Sequence, residues 1–323
     1  NLILANMDTQ MNQACITIGK PGGGKSMLVK WMQLQRILKT EHKYIIVDPE
    51  GEYASMFQAL CPELVTIVNL GSGKDKINCM EMVEHYGVDD GSQLGMDPVM
   101  TKSMFVMSLL NRADKNHPVS LEEKSLIDRC VKIAFERYSR GGVLPTLSIL
   151  RDIIREQREP AAVQLALKME IFTTGTLNMF GVESSVNCFD SRVVIFNMHG
   201  LRGLQKDIGL FVISDTIINM VTLNWESAGV TFIDFDEAQV LLEDDNTCEF
   251  FDAAYRQWRK RNGIPNAITQ NAKVFVNNDN KIPENMLSNS DTSKLNEVQT
   301  LILTNKELDL TRYQKIEKQE IKK

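Results

Sequence analysis

Eight consecutive residues, Gly19-Lys20-Pro21-Gly22-Gly23-Gly24-Lys25-Ser26, fit the pattern G-x-x-x-x-G-K-[ST]. That pattern describes a loop whose backbone N–H groups wrap the phosphates of a nucleotide. Glycines let those N–H groups turn inward and approach the phosphate oxygens closely. Lys25 offers a point charge to the β- and γ-phosphates, and the Ser26 hydroxyl offers an oxygen to Mg²⁺. The run of candidate phosphate-binding residues is therefore Gly19, Pro21, Gly22, Gly23, Gly24, Lys25, Ser26 and Met27. A chain of this length matches such a pattern by accident on the order of 1% of the time. Its setting narrows the reading further. Ala14-Cys15-Ile16-Thr17-Ile18 is β-prone, and Met27-Leu28-Val29-Lys30-Trp31-Met32 opens an amphipathic helix. Strand, glycine loop, helix is the context that phosphate binding requires, because the helix N-terminus then faces the anion. The implied ligands are ATP and Mg²⁺.

Such a loop needs a carboxylate for the metal and a second one to polarise the attacking water. Val230-Thr231-Phe232-Ile233-Asp234-Phe235-Asp236-Glu237-Ala238 ends a β-rich run on acids. Asp236 is the candidate for holding Mg²⁺, alongside Ser26, and Glu237 the candidate catalytic base. Asp234 is anomalous. With period-two alternation it shares a strand face with Asp236, and a carboxylate inside a core strand is costly without a partner. It is either a supporting partner to the metal site or a sign that the strand ends earlier. Ile268-Thr269-Gln270-Asn271 puts a polar amide after another strand, where Gln270 could sense a γ-phosphate. In Arg256-Gln257-Trp258-Arg259-Lys260-Arg261, Arg256 and Arg259 share a helix face at i, i+3. They are candidate arginine fingers, with a solvated basic face as the plain alternative.

The elements that must position these groups alternate strand and helix, which indicates an α/β fold. After the helix that ends near Thr40, strands are expected at Tyr44–Val47 and Leu64–Leu70. From about Asp97 to Lys168 the strand signal vanishes. Met104–Leu110, Leu121–Tyr138 and Thr146–Glu156 carry apolar residues at spacings of three and four. Strands return at Val193–Phe196, Val230–Phe235 and Ala267–Thr269, with helices at Leu204–Leu223 and about Thr247–Arg261. Thr300–Leu303 is a last strand candidate, Pro283–Leu287 a short helix, and 306–323 a charged, solvated helix. The expected organisation is a nucleotide-binding core at 1–95 and 170–323, interrupted by an all-helical subdomain at 96–169.

Composition limits the function classes. A net charge of −6 argues against a broad nucleic-acid-binding surface. Six scattered cysteines with no C-x-x-C pair point away from zinc and from a disulfide framework, and fit a reducing cytosol. The most apolar long segment, Ile208–Leu223, contains Asp215 and Asn219 and reads as a buried amphipathic helix, so membrane association is expected through partners. The chain begins a few residues before its first strand, which suggests a piece of something longer.

These residues resemble the ATPase domain of the TraC/VirB-type ATPases of type IV secretion and conjugation, within the HerA/FtsK P-loop superfamily. The resemblance covers most of the chain. It rests on the glycine loop, on Val47-Asp48-Pro49-Glu50-Gly51-Glu52-Tyr53, on Phe172–Phe180, and on Phe235-Asp236-Glu237-Ala238. Arg256–Gly263, Ile268-Thr269-Gln270-Asn271 and Met286-Leu287-Ser288-Asn289-Ser290 carry it further. It implies a RecA-like P-loop NTPase core with a mostly parallel central sheet and an inserted helical subdomain. It also implies ATP hydrolysis by a hexamer, with the domain monomeric in isolation as the alternative. The partners are other secretion-system components at the inner membrane, and the location is cytoplasmic and peripheral to that membrane. By the same match Gln270 is a sensor and Arg259-Lys260 falls on the family's Arg-Lys pair. Two departures stand out: Asp234 interrupts an apolar strand, and Pro265 is expected to shorten the strand it enters. A DNA-pumping translocase of the coupling-protein or FtsK type shares this core and is the alternative, as is a nucleotide-gated scaffold that does not hydrolyse.

Overall fold

The computed structural model describes residues 15–18, 24–86, 97–238 and 257–270. Among the described residues, six parallel strands form one sheet in the order β1-β6-β5-β2-β4-β3. They are β1 (Cys15–Ile18), β2 (Lys43–Asp48), β3 (Val65–Asn69), β4 (Val193–Asn197), β5 (Thr231–Phe235) and β6 (Gly263–Thr269). Parallel neighbours cannot be joined by tight turns, so each crossover carries the chain over a face of the sheet, and both faces become buried. That is why Lys43-Tyr44-Ile45-Ile46-Val47-Asp48 is buried at every position although it is only partly apolar.

Alternation along the strands divides the core in two. Tyr44, Ile46, Val193, Ile195, Phe232 and Ile268 point to one face, where they meet Val29 and Ile37 of α1 (Lys25–Lys39) and Phe57 of α2 (Ala54–Leu60). Ile45, Val47, Val194, Phe196, Ile233 and Phe235 point to the other, in one apolar cluster with α8 (Leu204–Glu226) and the helices between β3 and β4. Those helices are α3 (Pro98–Ala113), α4 (Leu121–Ser139), α5 (Leu147–Arg155), α6 (Pro160–Lys168) and α7 (Glu170–Thr173). Their ends are written in the sequence. The Asp97 carboxylate caps α3 by accepting from Val99 N–H at 2.9 Å. Ser120 and Glu123 close a reciprocal capping box on α4, and Pro160 opens α6, where no N–H is needed.

Several expectations change in detail. The helix through Ile208–Leu223 is not amphipathic: α8 is buried from Ile208 to Thr222 without interruption, because the sheet lies on one side and α3 on the other. It is the one described helix long and apolar enough to cross a membrane, and most of it is enclosed by the protein. Pro265 does not shorten its strand. Even-numbered β6 residues exchange hydrogen bonds with β5, as Thr231 N–H to Asn262 and Ala238 N–H to Ile268 show. The Pro265 nitrogen therefore faces the other neighbour, and the described ladder with β1 starts only at Asn266. The sequence reading also omitted α2. Of the expected helix at 247–261, residues 257–260 are helical, Arg261 lies in a turn, and 247–256 lie outside the described residues, as do the segments expected at 283–287, 300–303 and 306–323.

Candidate nucleotide site

In an open parallel sheet, ligands bind beyond the carboxyl ends of the strands. The candidate residues gather at that edge. Gly24 sits at the N-cap of α1 with φ of 80°, a left-handed conformation that a Cβ would strain, and nothing crowds it there. Lys25 and Ser26 then fill the first turn of α1, while Met27 is largely exposed. Gly19, Pro21, Gly22 and Gly23 lie outside the described residues.

Across from this turn, β5 ends at Phe235, and Asp236 N–H still donates to Val47 of β2 at 3.1 Å. The Lys25 ammonium lies 3.5 Å from Asp236 Oδ1 and 3.9 Å from Glu237 Oε1, with both Lys25 and Asp236 side chains almost fully buried. Glu237 adopts a φ of 51°, unusual for a residue with a side chain. Its own N–H returns to Asp236 Oδ1 at 3.0 Å, and Ala238 N–H is fixed on Ile268 of β6 at 2.8 Å, which holds the strained turn. Gln270, directly after β6, donates through Nε2 to Glu237 Oε1. Lys25, Asp236, Glu237 and Gln270, from three separate elements, thus form one connected group. Burial raises the Asp236 pKa, while Lys25 and the Glu237 N–H pull it back toward the charged form.

Asp234 answers the question its position raised. The strand does continue through it, and the carboxylate turns away from the metal candidates into a network of its own. Gln33 Nε2 donates to Oδ2 at 2.6 Å and Asn266 Nδ2 to Oδ1 at 2.8 Å, while Thr17 Oγ1 donates to Asn266 Oδ1 at 3.1 Å. Burial pushes this carboxyl upward, and these donors and the Arg36 charge oppose it. The network ties β1, α1, β5 and β6 together. Gln33 and Asn266 escaped the sequence reading, although a signal existed: Gln33 occupies the buried stripe Val29, Gln33, Ile37. A polar residue at a core spacing asks for a polar partner.

The segment after β2 is shaped by Asp48. Its carboxylate accepts from the N–H groups of Gly51 at 2.8 Å, Glu52 at 3.0 Å and Tyr53 at 2.9 Å. Gly51 has φ of 74° and passes so close to His199 that a Cβ would sit 3.1 Å from its Cβ. The turn places Tyr53 in the core beside Asp236.

Arg259 does not join its own site. It lies on the helical turn before β6, whereas Gln270 lies after β6. Seven strand residues hold the two on the order of 20 Å apart. Arg256 lies outside the described residues.

The AAA-like domain family profile matches residues 7–301. The chain belongs to the AAA-like domain family. No curated protein matches the chain at the sequence level. Among solved structures, VirB4 of Thermoanaerobacter pseudethanolicus is similar at 18% identity and a TM-score of 0.70, covering 90% of this chain and 79% of that one. TrwBdeltaN70, a bacterial conjugative coupling protein in complex with sulphate, is similar at 12% identity and a TM-score of 0.50, covering 86% and 67%. The fold of this AAA-like domain is accordingly that of a RecA-like P-loop core.

The residues present fit a magnesium–triphosphate ligand. Lys25 is a buried cation at a helix N-terminus, where an anion would replace its two carboxylate partners. A Ser hydroxyl and a carboxylate are the hard oxygen donors that Mg²⁺ takes, few in number because phosphates and water complete its shell.

Proposed function

We propose that this chain is the ATP-hydrolysing motor domain of a type IV secretion or conjugation system, energising machine assembly or substrate transfer. The observation that carries the proposal is the contact of Lys25 with both Asp236 and Glu237, backed by Gln270, at the carboxyl edge of the sheet. The likeness to VirB4 over most of both chains supports the choice of system. In this reading Ser26 and Asp236 hold Mg²⁺, and Lys25 leaves its carboxylate partners to bind phosphate. Mg²⁺–ATP, when bound, supplies the phosphoryl group and the cation that neutralises its charge. Glu237 takes the proton of the attacking water, and Gln270 orients Glu237.

Residues 96–169 form the helical subdomain and 1–95 with 170–323 the core. The working assembly is a hexamer in which Arg259, with Arg256, serves the neighbouring subunit's site. The domain acts on the cytoplasmic side of the inner membrane through partner proteins, and the acidic net charge disfavours DNA as a direct partner.

Phosphate release and nucleotide binding, measured together, test this. Lys25→Ala should lose nucleotide binding. Glu237→Gln should bind ATP as the wild type does and release phosphate at least 100-fold more slowly, the order expected when a general base is removed. Unchanged turnover in Glu237→Gln would refute the assignment of the base.

A further inference from the structure

The Tyr53 side chain is completely buried, yet its hydroxyl has no hydrogen-bond partner among the described residues. A buried hydroxyl left unpaired is costly, and phenylalanine would fill the same space without that cost. The position of the ring is over-determined. Tyr53 N–H is held by Asp48 Oδ2, the Lys30 ammonium lies 5.0 Å from the ring centre, and Lys30 itself is paired with Glu52 at 3.4 Å. These contacts hold the hydroxyl beside the Asp236 carboxylate, close enough to interact with it but outside the geometry of a formed hydrogen bond. Both described bonds to that carboxylate, from Lys25 Nζ and from Glu237 N–H, land on Oδ1.

We propose that Tyr53 is a positioning residue for the metal: its hydroxyl donates to the Asp236 carboxylate and fixes its orientation when Lys25 moves to the phosphates. This rests on the reading of Asp236 as a magnesium-holding acid. While Lys25 contacts Asp236 it restrains that carboxylate, and the phenol is in reserve. Once Lys25 is withdrawn, a buried carboxylate with one backbone donor would be free to rotate. Mg²⁺ demands near-ideal geometry from few protein ligands, so a second donor on the acid improves metal affinity without touching the metal.

Tyr53→Phe removes one oxygen and leaves the packing. Three measurements separate positioning from structure. Without nucleotide, the urea midpoint of the variant should equal or exceed that of the wild type, since an unpaired buried group is gone. In EDTA, binding of a fluorescent non-hydrolysable ATP analogue should be unchanged, because Lys25 and the loop are untouched. With Mg²⁺ titrated in, the concentration giving half of its effect on analogue binding should rise about tenfold, the loss expected for one hydrogen bond to a charged group. In an Asp236→Asn background, adding Tyr53→Phe should change nothing more. Equal Mg²⁺ midpoints for wild type and Tyr53→Phe would overturn the inference while leaving the nucleotide site intact. So would an equal loss in EDTA, or a full additional loss in the Asp236→Asn background. Wild-type protein whose analogue binding ignores Mg²⁺ would overturn the metal reading, and this inference with it.

Discussion

Gln33 and Asp234 each break an apolar pattern, one on a helix and one on a strand, and the fold sets the two breaks against each other at 2.6 Å. Neither residue touches the candidate nucleotide site, yet their bond crosses from the phosphate-loop helix to the strand that carries Asp236. The energetic weight is considerable, because the Asp234 carboxylate is buried and cannot replace a lost donor with water. Gln33→Leu should therefore destabilise the protein by about 2 kcal/mol, the value of a hydrogen bond to a charged group. Urea unfolding checks it: the midpoint should fall with an unchanged slope. A loss below about 0.5 kcal/mol would mean that Asn266 alone satisfies the carboxylate. The same substitution removes a donor that favours the charged form, so the Asp234 pKa, already raised by burial, should rise further.

At the scale of elements, α8 is the piece whose composition most invites misreading. It is apolar enough to span a membrane, but the structure gives it the centre of the molecule instead. Its Asp215 explains how a buried helix can carry a charge. Lys102 of α3, itself fully buried, donates to Asp215 at 2.8 Å and to the Cys79 carbonyl at 3.1 Å. Tyr86 donates to the other carboxylate oxygen, and the ammonium lies 4.3 Å from the Tyr86 ring centre. This pair fastens α3 to α8. Removing one partner strands the other, whereas removing both need not cost much. Lys102→Met should lose about 3–5 kcal/mol, and Lys102→Met with Asp215→Leu should recover a large part of that loss. Thermal unfolding of the three proteins checks the sign; a double variant as unstable as the sum of the singles, or more so, would show that the two charges do not support each other.

For the whole molecule, the sheet separates Arg259 from the site in its own chain, so any catalytic role it has must be exercised on a second copy. Arginine fingers contribute on the order of 10³–10⁵ in turnover. Specific ATPase activity should accordingly rise with protein concentration. Mixing Arg259→Ala with Glu237→Gln, each inactive alone, should restore activity, since some interfaces then pair an intact base with an intact arginine. Phosphate release across mixing ratios is the measurement. No recovery at any ratio would assign Arg259 to the solvated surface.

The glycine loop, the acidic strand end and the alternation of strand and helix were legible along the chain, because each depends on neighbours within a few residues. Local rules of spacing and turn chemistry are enough to state them. Long-range pairing was not legible. Nothing local says that β2 lies between β5 and β4, that Gln33 meets Asp234 across the core, or that Pro265 faces the side where its missing N–H costs no described bond. Those outcomes follow from strand order and register, which are set when both faces of the sheet are buried at once. The sequence named the acids and the lysine; burial of the sheet decided which of them meet.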